Sequence, residues 1–263
     1  MRIRALFSAL GLNAVPAAGW FFAEWSAGTT LLVYWLETLF TILFISIRIL
    51  LHRRAVPSKG HWDYQGPKVH RPGPPQFIRR STFLVGFLPA VLIFTLAHGF
   101  FLGVLGFMAN VKGLASEAHV DGHGLMIGVL GILVFQGSDF TADLIWLRTR
   151  PFRWIELLGQ QCFGRIGVVH LTIIGGMCAV AITGANRNFF GVFIALKTML
   201  NLSNALPQYN PETPPAWLCK LMDLVPSTTE DGQATFAEYW RKNNSEEEER
   251  IARNNEPFQR TSK

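Results

Sequence analysis

Residues 81–111 read STFLVGFLPAVLIFTLAHGFFLGVLGFMANV and contain no Asp, Glu, Lys or Arg. Roughly 20 apolar residues are enough for a helix to cross a bilayer at about 1.5 Å rise per residue. A helix lying on a soluble core keeps one face polar and has no use for so long a run without charge. A lipid-facing helix does, because hydrocarbon offers a charge no partner. This stretch sets the expected fold class, an all-α, polytopic transmembrane helix bundle.

The same reading applied outward gives about six candidate spans, at 5–22, 29–49, 82–108, 124–147, 163–184 and 188–206. The first contains Asn13 and Pro16, and its Met1-Arg2-Ile3-Arg4 lead has the basic character of a signal peptide's opening; it is read as an uncleaved span. The fourth closes on Asp139 and Asp143. Composition agrees with a membrane protein: 49% of residues are hydrophobic and 16% charged, against about 25% charged in soluble domains.

Charge placement orients the spans, since Lys and Arg accumulate in cytoplasmic loops. Arg2 and Arg4 precede the first span. Arg53, Arg54, Lys59, Lys68, Arg71, Arg79 and Arg80 fall between spans two and three, and Arg148, Arg150 and Arg153 between four and five, with Arg165 just beyond. The opposite loops carry only Lys112 and Arg187. This alternation predicts an N-in/C-in protein, multi-pass in the cell inner (plasma) membrane, with a transmembrane domain at 1–206 and a cytoplasmic tail at 207–263. The formal charge of +6 is then assigned to loops that orient the chain and touch anionic lipid. No nucleic-acid recognition motif accompanies it, so nucleic acid is not an expected partner. The expected partners are the lipid bilayer and other membrane subunits. Cys162, Cys178 and Cys219 fit no disulfide framework or zinc spacing and read as apolar filler.

The parts outside the spans are small. Pro57, Pro67, Pro72, Pro74 and Pro75 predict an extended loop at 53–80, with Trp62 and Tyr64 at headgroup level. The tail opens on Pro207, Pro211, Pro214 and Pro215. Trp217, Leu218, Leu221, Met222 and Val225 then mark a short amphipathic helix at the membrane surface. A polar helix is expected near 233–253, its Glu246–Glu249 run a solvated face. No internal repeat of the transporter kind is present.

Polar residues inside the spans carry what chemistry there is, because an ionisable group in hydrocarbon is costly. In the second span Thr30, Tyr34, Glu37 and Thr41 share a helix face. His98 is the one titratable residue of the third. Gln136, Asp139 and Asp143 share a face of the fourth, His170 stands among apolar neighbours in the fifth, and Lys197, Asn201 and Asn204 share a face of the sixth. Counted at helical rise, Glu37, His98 and Lys197 lie about 12–15 Å from the outer side, which predicts one midplane layer. Asp139, His170 and Asn201, about 20–22 Å in, predict a second, with Arg165 a turn nearer the cytoplasm. Glycines 99, 103 and 106, and Gly175 with Ala179, are small-residue seams for close helix approach.

Metal binding has two weaker candidates. His98 and His170 with carboxylates are acceptable ligands but come from separate helices without ligand spacing. In the outer loop, an extended Glu117–His123 would set Glu117, His119, Asp121 and His123 on one side. A carboxylate with a last-span lysine also occurs in retinal proteins, but six spans are not seven and nothing else matches. There is no Walker loop, nucleophile elbow or haem-attachment motif, so neither cofactor nor catalytic residue is assigned.

Tyr34-Trp35-Leu36-Glu37, Ala97-His98-Gly99-Phe100 and Arg165-Ile166-Gly167-Val168-Val169-His170 resemble segments of a family of bacterial and archaeal multi-pass proteins classed as a domain of unknown function. The resemblance covers roughly 5–206, implies a helical membrane fold, and singles out Glu37, His98, Arg165 and His170. It supplies no activity. The leading expectation is a noncatalytic subunit, assembly or binding component of a membrane complex. A transporter or channel for a small solute, proton or ion is the alternative, and a membrane-embedded metalloenzyme the third.

Overall fold

A computed structural model describes residues 2–67, 82–111, 119–183, 191, 194–199, 202–203, 211–222 and 235–259, with side chains described except at 2–6, 109 and 168–183. Its regular elements are the helices α1 (Arg2–Phe22), α2 (Ala27–Ala55), α3 (Phe83–Val111), α4 (Gly122–Ile145), α5 (Phe152–Thr183), α6 (Ala216–Met222) and α7 (Phe236–Asn255), with 3-10 turns at Lys59–His61 and Leu147–Thr149. Residues 194–199 are also helical. Among the described residues there is no strand, only an isolated bridge between Ser58 and Pro257. Ala27–Ala55, Phe83–Met108 and Gly122–Ile145 are long and apolar enough to cross a membrane, and Phe7–Phe22 is a shorter apolar helix.

The chain divides into two compact units: Met1–Val56 with Leu84–Pro207, and Pro57–Phe83 with Gln208–Lys263. In the first unit α2 packs chiefly on α4, α1 lies on α4, and α5 lies on α2. Ser26 opens α2 by accepting a bond from the Thr29 amide at 3.1 Å, and Asp121 opens α4 by accepting from the Gly124 amide at 2.7 Å. Both supply acceptors to amides that a helix start otherwise leaves bare. The last turn of α2 carries His52, Arg53 and Arg54, the sign favoured at a helix C-terminus.

Contacts between side chains fix the helix directions. Along α2 and α4, Thr29 meets Asp121, Val33 meets Gly128, Thr41 meets Gln136 and Arg48 meets Asp143, so the two run parallel. Ser8 bonds the Phe135 carbonyl and Val15 faces Gly131, so α1 is antiparallel to α4. Trp154 lies beside His52 and Arg165 beside Thr41, so α5 is antiparallel to α2. Trp35 donates to the Thr95 carbonyl at 2.9 Å and Phe87 meets Phe163 edge-on, which runs α3 antiparallel to α2 as well. Residues 194–199 run with α2, Ile194 against Tyr34 and Lys197 against Glu37.

Of the expected small-residue seams, one is met in part and the other is not described. Gly103 and Gly106 face open space, and only Gly99 of that set is covered, by Trp35; Gly175 and Ala179 lie outside the described side chains. Tight approaches occur on α1, where a Cβ on Gly11 or Gly19 would come within 2.2 Å of Phe135 and Trp25, and on α4, where one on Gly124 or Gly128 would come within 2.8 Å of Trp25 and 2.5 Å of Val33. The fifth helix also begins at Phe152 rather than 163. Its first turns are amphipathic, with Phe152, Ile155 and Glu156 buried, a pattern that an apolar-window reading passes over.

The second unit joins the loop to the tail. Lys59–His61 forms a 3-10 turn where an extended loop was expected; Pro57 lies before the turn, so its fixed φ does not obstruct it. The turn is tied down by the Lys59 amide, which donates to the Glu256 carbonyl at 2.7 Å, and by the Phe258 amide, which donates to the Pro57 carbonyl at 2.8 Å. Asn254 clamps Gln65 from α7, accepting from its amide at 3.2 Å and donating to its carbonyl at 2.9 Å. Arg250 donates to the same carbonyl at 2.7 Å, and Arg253 pairs with Asp63 at 3.1 Å. Trp62 stacks on Phe258 with centroids 4.4 Å apart, and Tyr64 meets Phe83 edge-on at 4.9 Å. Each ring is thus packed against another ring of the same unit. α7 opens with a capping box of Thr235 and Glu238, which places the polar helix within three residues of its expected start. Lys68–Arg80, Pro207 and Val225 lie outside the described residues.

Candidate functional site

The polar face of α2 organises the first unit. At spacings of three and four residues Tyr34, Glu37 and Thr41 project from one side of the helix, and all three are buried. Glu37, 2% exposed, is bonded through Oε2 to the ammonium of Lys197, 6% exposed. That ammonium also sits 4.1 Å from the centroid of the Tyr34 ring, so the aromatic face and the carboxylate hold the cation together. Gln136 of α4 donates to the Glu37 carbonyl at 3.2 Å and to Thr41 Oγ1 at 2.9 Å. Thr41 donates in turn to the Glu37 carbonyl at 2.8 Å. Arg165 of α5 approaches the same hydroxyl through Nη1 at 3.4 Å.

A second pair lies further along the same two helices. Arg48 donates from Nε and Nη2 to one oxygen of Asp143, both at 3.0 Å, and its guanidinium lies 5.1 Å from the centroid of Phe140. Sequence reading passed over Arg48, although the α2 polar face continues at helical spacing through Ile45 to Arg48 and His52. His52 is fully buried and donates from Nε2 to the Arg150 carbonyl at 3.0 Å. Glu156, also missed, is buried and pairs with Arg153 at 3.1 Å. Its signal was the i, i+3 charge spacing at the start of α5.

The expected midplane layer is brought together in part. Glu37 and Lys197 meet, whereas His98 donates from Nδ1 to the Phe94 carbonyl of its own helix at 2.7 Å. Asp139 is half-buried on α4. Its expected partners, the His170 side chain and Asn201, lie outside the described residues, as does Asn204.

At the start of α4, Asp121 Oδ1 and Oδ2 accept from the His123 and Gly124 amides, and the Asp121 amide donates to Thr29 Oγ1 at 2.8 Å. The amide of Gly124, and secondarily that of His123, holds the Asp121 carboxyl below its ordinary pKa. The strand-like alternation expected over Glu117–His123 stops at Gly122, where the helix begins. His119, Asp121 and His123 therefore do not line one side of a strand. Glu117 lies outside the described residues, and among those described no three His, Cys, Asp or Glu side chains are grouped to hold a metal ion.

No curated protein and no solved structure matches this sequence. One family profile does, from residue 2 to residue 217, a range that contains α1 to α5, the Glu37–Lys197 and Arg48–Asp143 pairs and Arg165. The match spans most of the chain: it belongs to the family of unknown function DUF6498.

Proposed function

We propose that this chain is a six-span membrane protein with both termini in the cytoplasm, serving as a noncatalytic subunit or binding component of a membrane complex. Helix direction supports the span count. With α2 and α4 parallel, α1 antiparallel to α4, α3 and α5 antiparallel to α2, and residues 194–199 parallel to it, each segment reverses the one before. A chain crossing a bilayer six times must do this. The union of residues 57–67 with the tail in one unit supports a common side for both, and the basic residues there support the cytoplasmic one.

The observation that carries the subunit reading is the pairing of buried charge. Glu37 is joined to Lys197, Asp143 to Arg48 and Glu156 to Arg153, while Ile93, Phe100 and Phe107 of α3 and Leu130 and Val134 of α4 point outward. Carboxylates matched in place fix helix register more readily than they relay ions, and a broad apolar exterior suits lipid and neighbouring helices. Extraction in native nanodiscs with photo-crosslinkers at Phe100 and Phe107 tests this. A stoichiometric assembly crosslinked to other polypeptides is expected. A lone chain that moves protons or a small solute when reconstituted by itself overturns it.

A further inference from the structure

The last turn of α2 and the turn that joins α4 to α5 close one end of the helical unit. His52 meets the Arg150 carbonyl at 3.0 Å, and Leu147 is buried in the joining turn. With Leu147 held inward, its neighbours turn outward. Ile145 and Trp146 are 76% and 54% exposed, and Arg148 is exposed just beyond them. Arg54, about 9 Å past Arg48 at helical rise, is exposed as well. Arg48 meets Asp143 and His52 meets Arg150, so Arg54 and Arg148 lie at the same end of two parallel helices.

Charge at this end is one-sided. Residues 48–56 and 143–156 hold six arginines and two acids, Asp143 and Glu156. Both acids are engaged, by Arg48 and by Arg153. Arg54 and Arg148 make no hydrogen bond or ion pair among the described residues. A guanidinium in water needs no partner, so exposure alone would signify little. Its position is what matters. Ile145 ends a helix long and apolar enough to cross a membrane, and an exposed indole next to it favours the level between hydrocarbon and water. Two residues further on, Arg148 stands where phosphate groups of the leaflet begin, and its fork matches phosphate oxygens.

We propose that Arg54, Trp146 and Arg148 form a seat for anionic phospholipid, with Ile145 and the indole against the acyl chains and the two guanidiniums on headgroup phosphate. An acidic segment of another protein would use the arginines but not the apolar pair that continues directly from a span. The seat rests on α2 and α4 crossing a bilayer and uses neither the span count nor the subunit role.

The full chain in phosphatidylcholine nanodiscs with rising phosphatidylglycerol provides the test, the lipids retained on the chain being counted by native mass spectrometry. Saturable enrichment of phosphatidylglycerol is expected. Arg54→Gln and Arg148→Gln should each lower it about fivefold, and Trp146→Ala should lower it too. Arg241→Gln combined with Lys242→Gln, which removes two exposed charges of α7, should leave it unchanged. Both arginine variants should keep the unaltered unfolding midpoint in pure phosphatidylcholine, having no partner to lose. Should either fail to fold, Arg→Lys at the same position replaces it, and a smaller loss of enrichment is expected because the charge stays and the fork goes. Equal retention of the two lipids, an equal loss in the α7 control, or undiminished enrichment in both arginine variants overturns the proposal and leaves the membrane reading standing. A chain that does not enter nanodiscs at all overturns both.

Discussion

Glu37 shows how one residue can be both expensive and necessary. Alone, its carboxylate would not survive burial; joined to Lys197 above the Tyr34 ring, it holds residues 194–199 against α2. Glu37→Ala leaves the ammonium buried and unmatched, and should cost about 3–5 kcal/mol in reversible unfolding from mixed micelles. Replacing Glu37 and Lys197 together by Leu should cost less than Glu37→Ala alone, since no charge is then stranded. A double variant at least as unstable as the single one would refute the pairing. Asp121 is a surface case of the same logic. Its amide bonds hold its folded pKa below the ordinary value, so their contribution is complete above that ordinary value and disappears as pH falls through the lower, folded one. Amide exchange at His123 and Gly124, corrected for intrinsic rates, should therefore accelerate only in that acidic window. Protection unchanged through it would contradict the cap.

At the scale of elements, the α2–α4 contact is the structural centre of the helical unit, and glycine decides how close it is. A methyl group on Gly128 would stand 2.5 Å from a Val33 methyl carbon, whereas one on Gly137 of the same helix meets nothing within 4 Å. Ala is intrinsically the better helix former by about 1 kcal/mol, but overpacking costs about 1–3 kcal/mol. Gly128→Ala should thus lower the unfolding midpoint while Gly137→Ala leaves it equal or higher. Equal shifts in the two would show that α2 does not press on α4. The polar face of α2 was legible as far as Thr41 because the 3.6-residue period is a local property. The same period continues to Arg48 and His52, whose partners Asp143 and Arg150 lie far along the chain.

At the scale of the whole molecule, the loop at 57–67 and the tail stand or fall together. Asn254→Ala removes both bonds to the Gln65 backbone; the carbonyl keeps Arg250, but the part-buried amide loses its partner, at a cost of about 1–3 kcal/mol. Limited proteolysis should then cut both the loop and α7 faster, and acceleration at only one of them would argue against a shared unit. The six-span reading makes a further demand: protease added to oriented vesicles should reach the tail from the cytoplasmic face alone. Cleavage only from the opposite face would reverse the topology.

The sequence by itself determined the helical class, the positions of the long apolar helices and the polar residues that interrupt them, because hydrophobicity, charge and period are written along the chain. It also carried a resemblance to a family of unknown function, which the match over residues 2–217 bears out. Only the tertiary structure decided which charges meet. Lys197 finds Glu37 across 160 positions and Asp143 finds Arg48 across 95, whereas His98 turns back on its own helix. Likewise, nothing local in a Pro-rich loop announces that Asn254 will grip it from 189 residues away. Long-range partners follow from how helices rotate and slide against one another. That is settled by the fit of side chains such as Val33 against Gly128, a packing property of two surfaces that neither stretch of sequence contains alone.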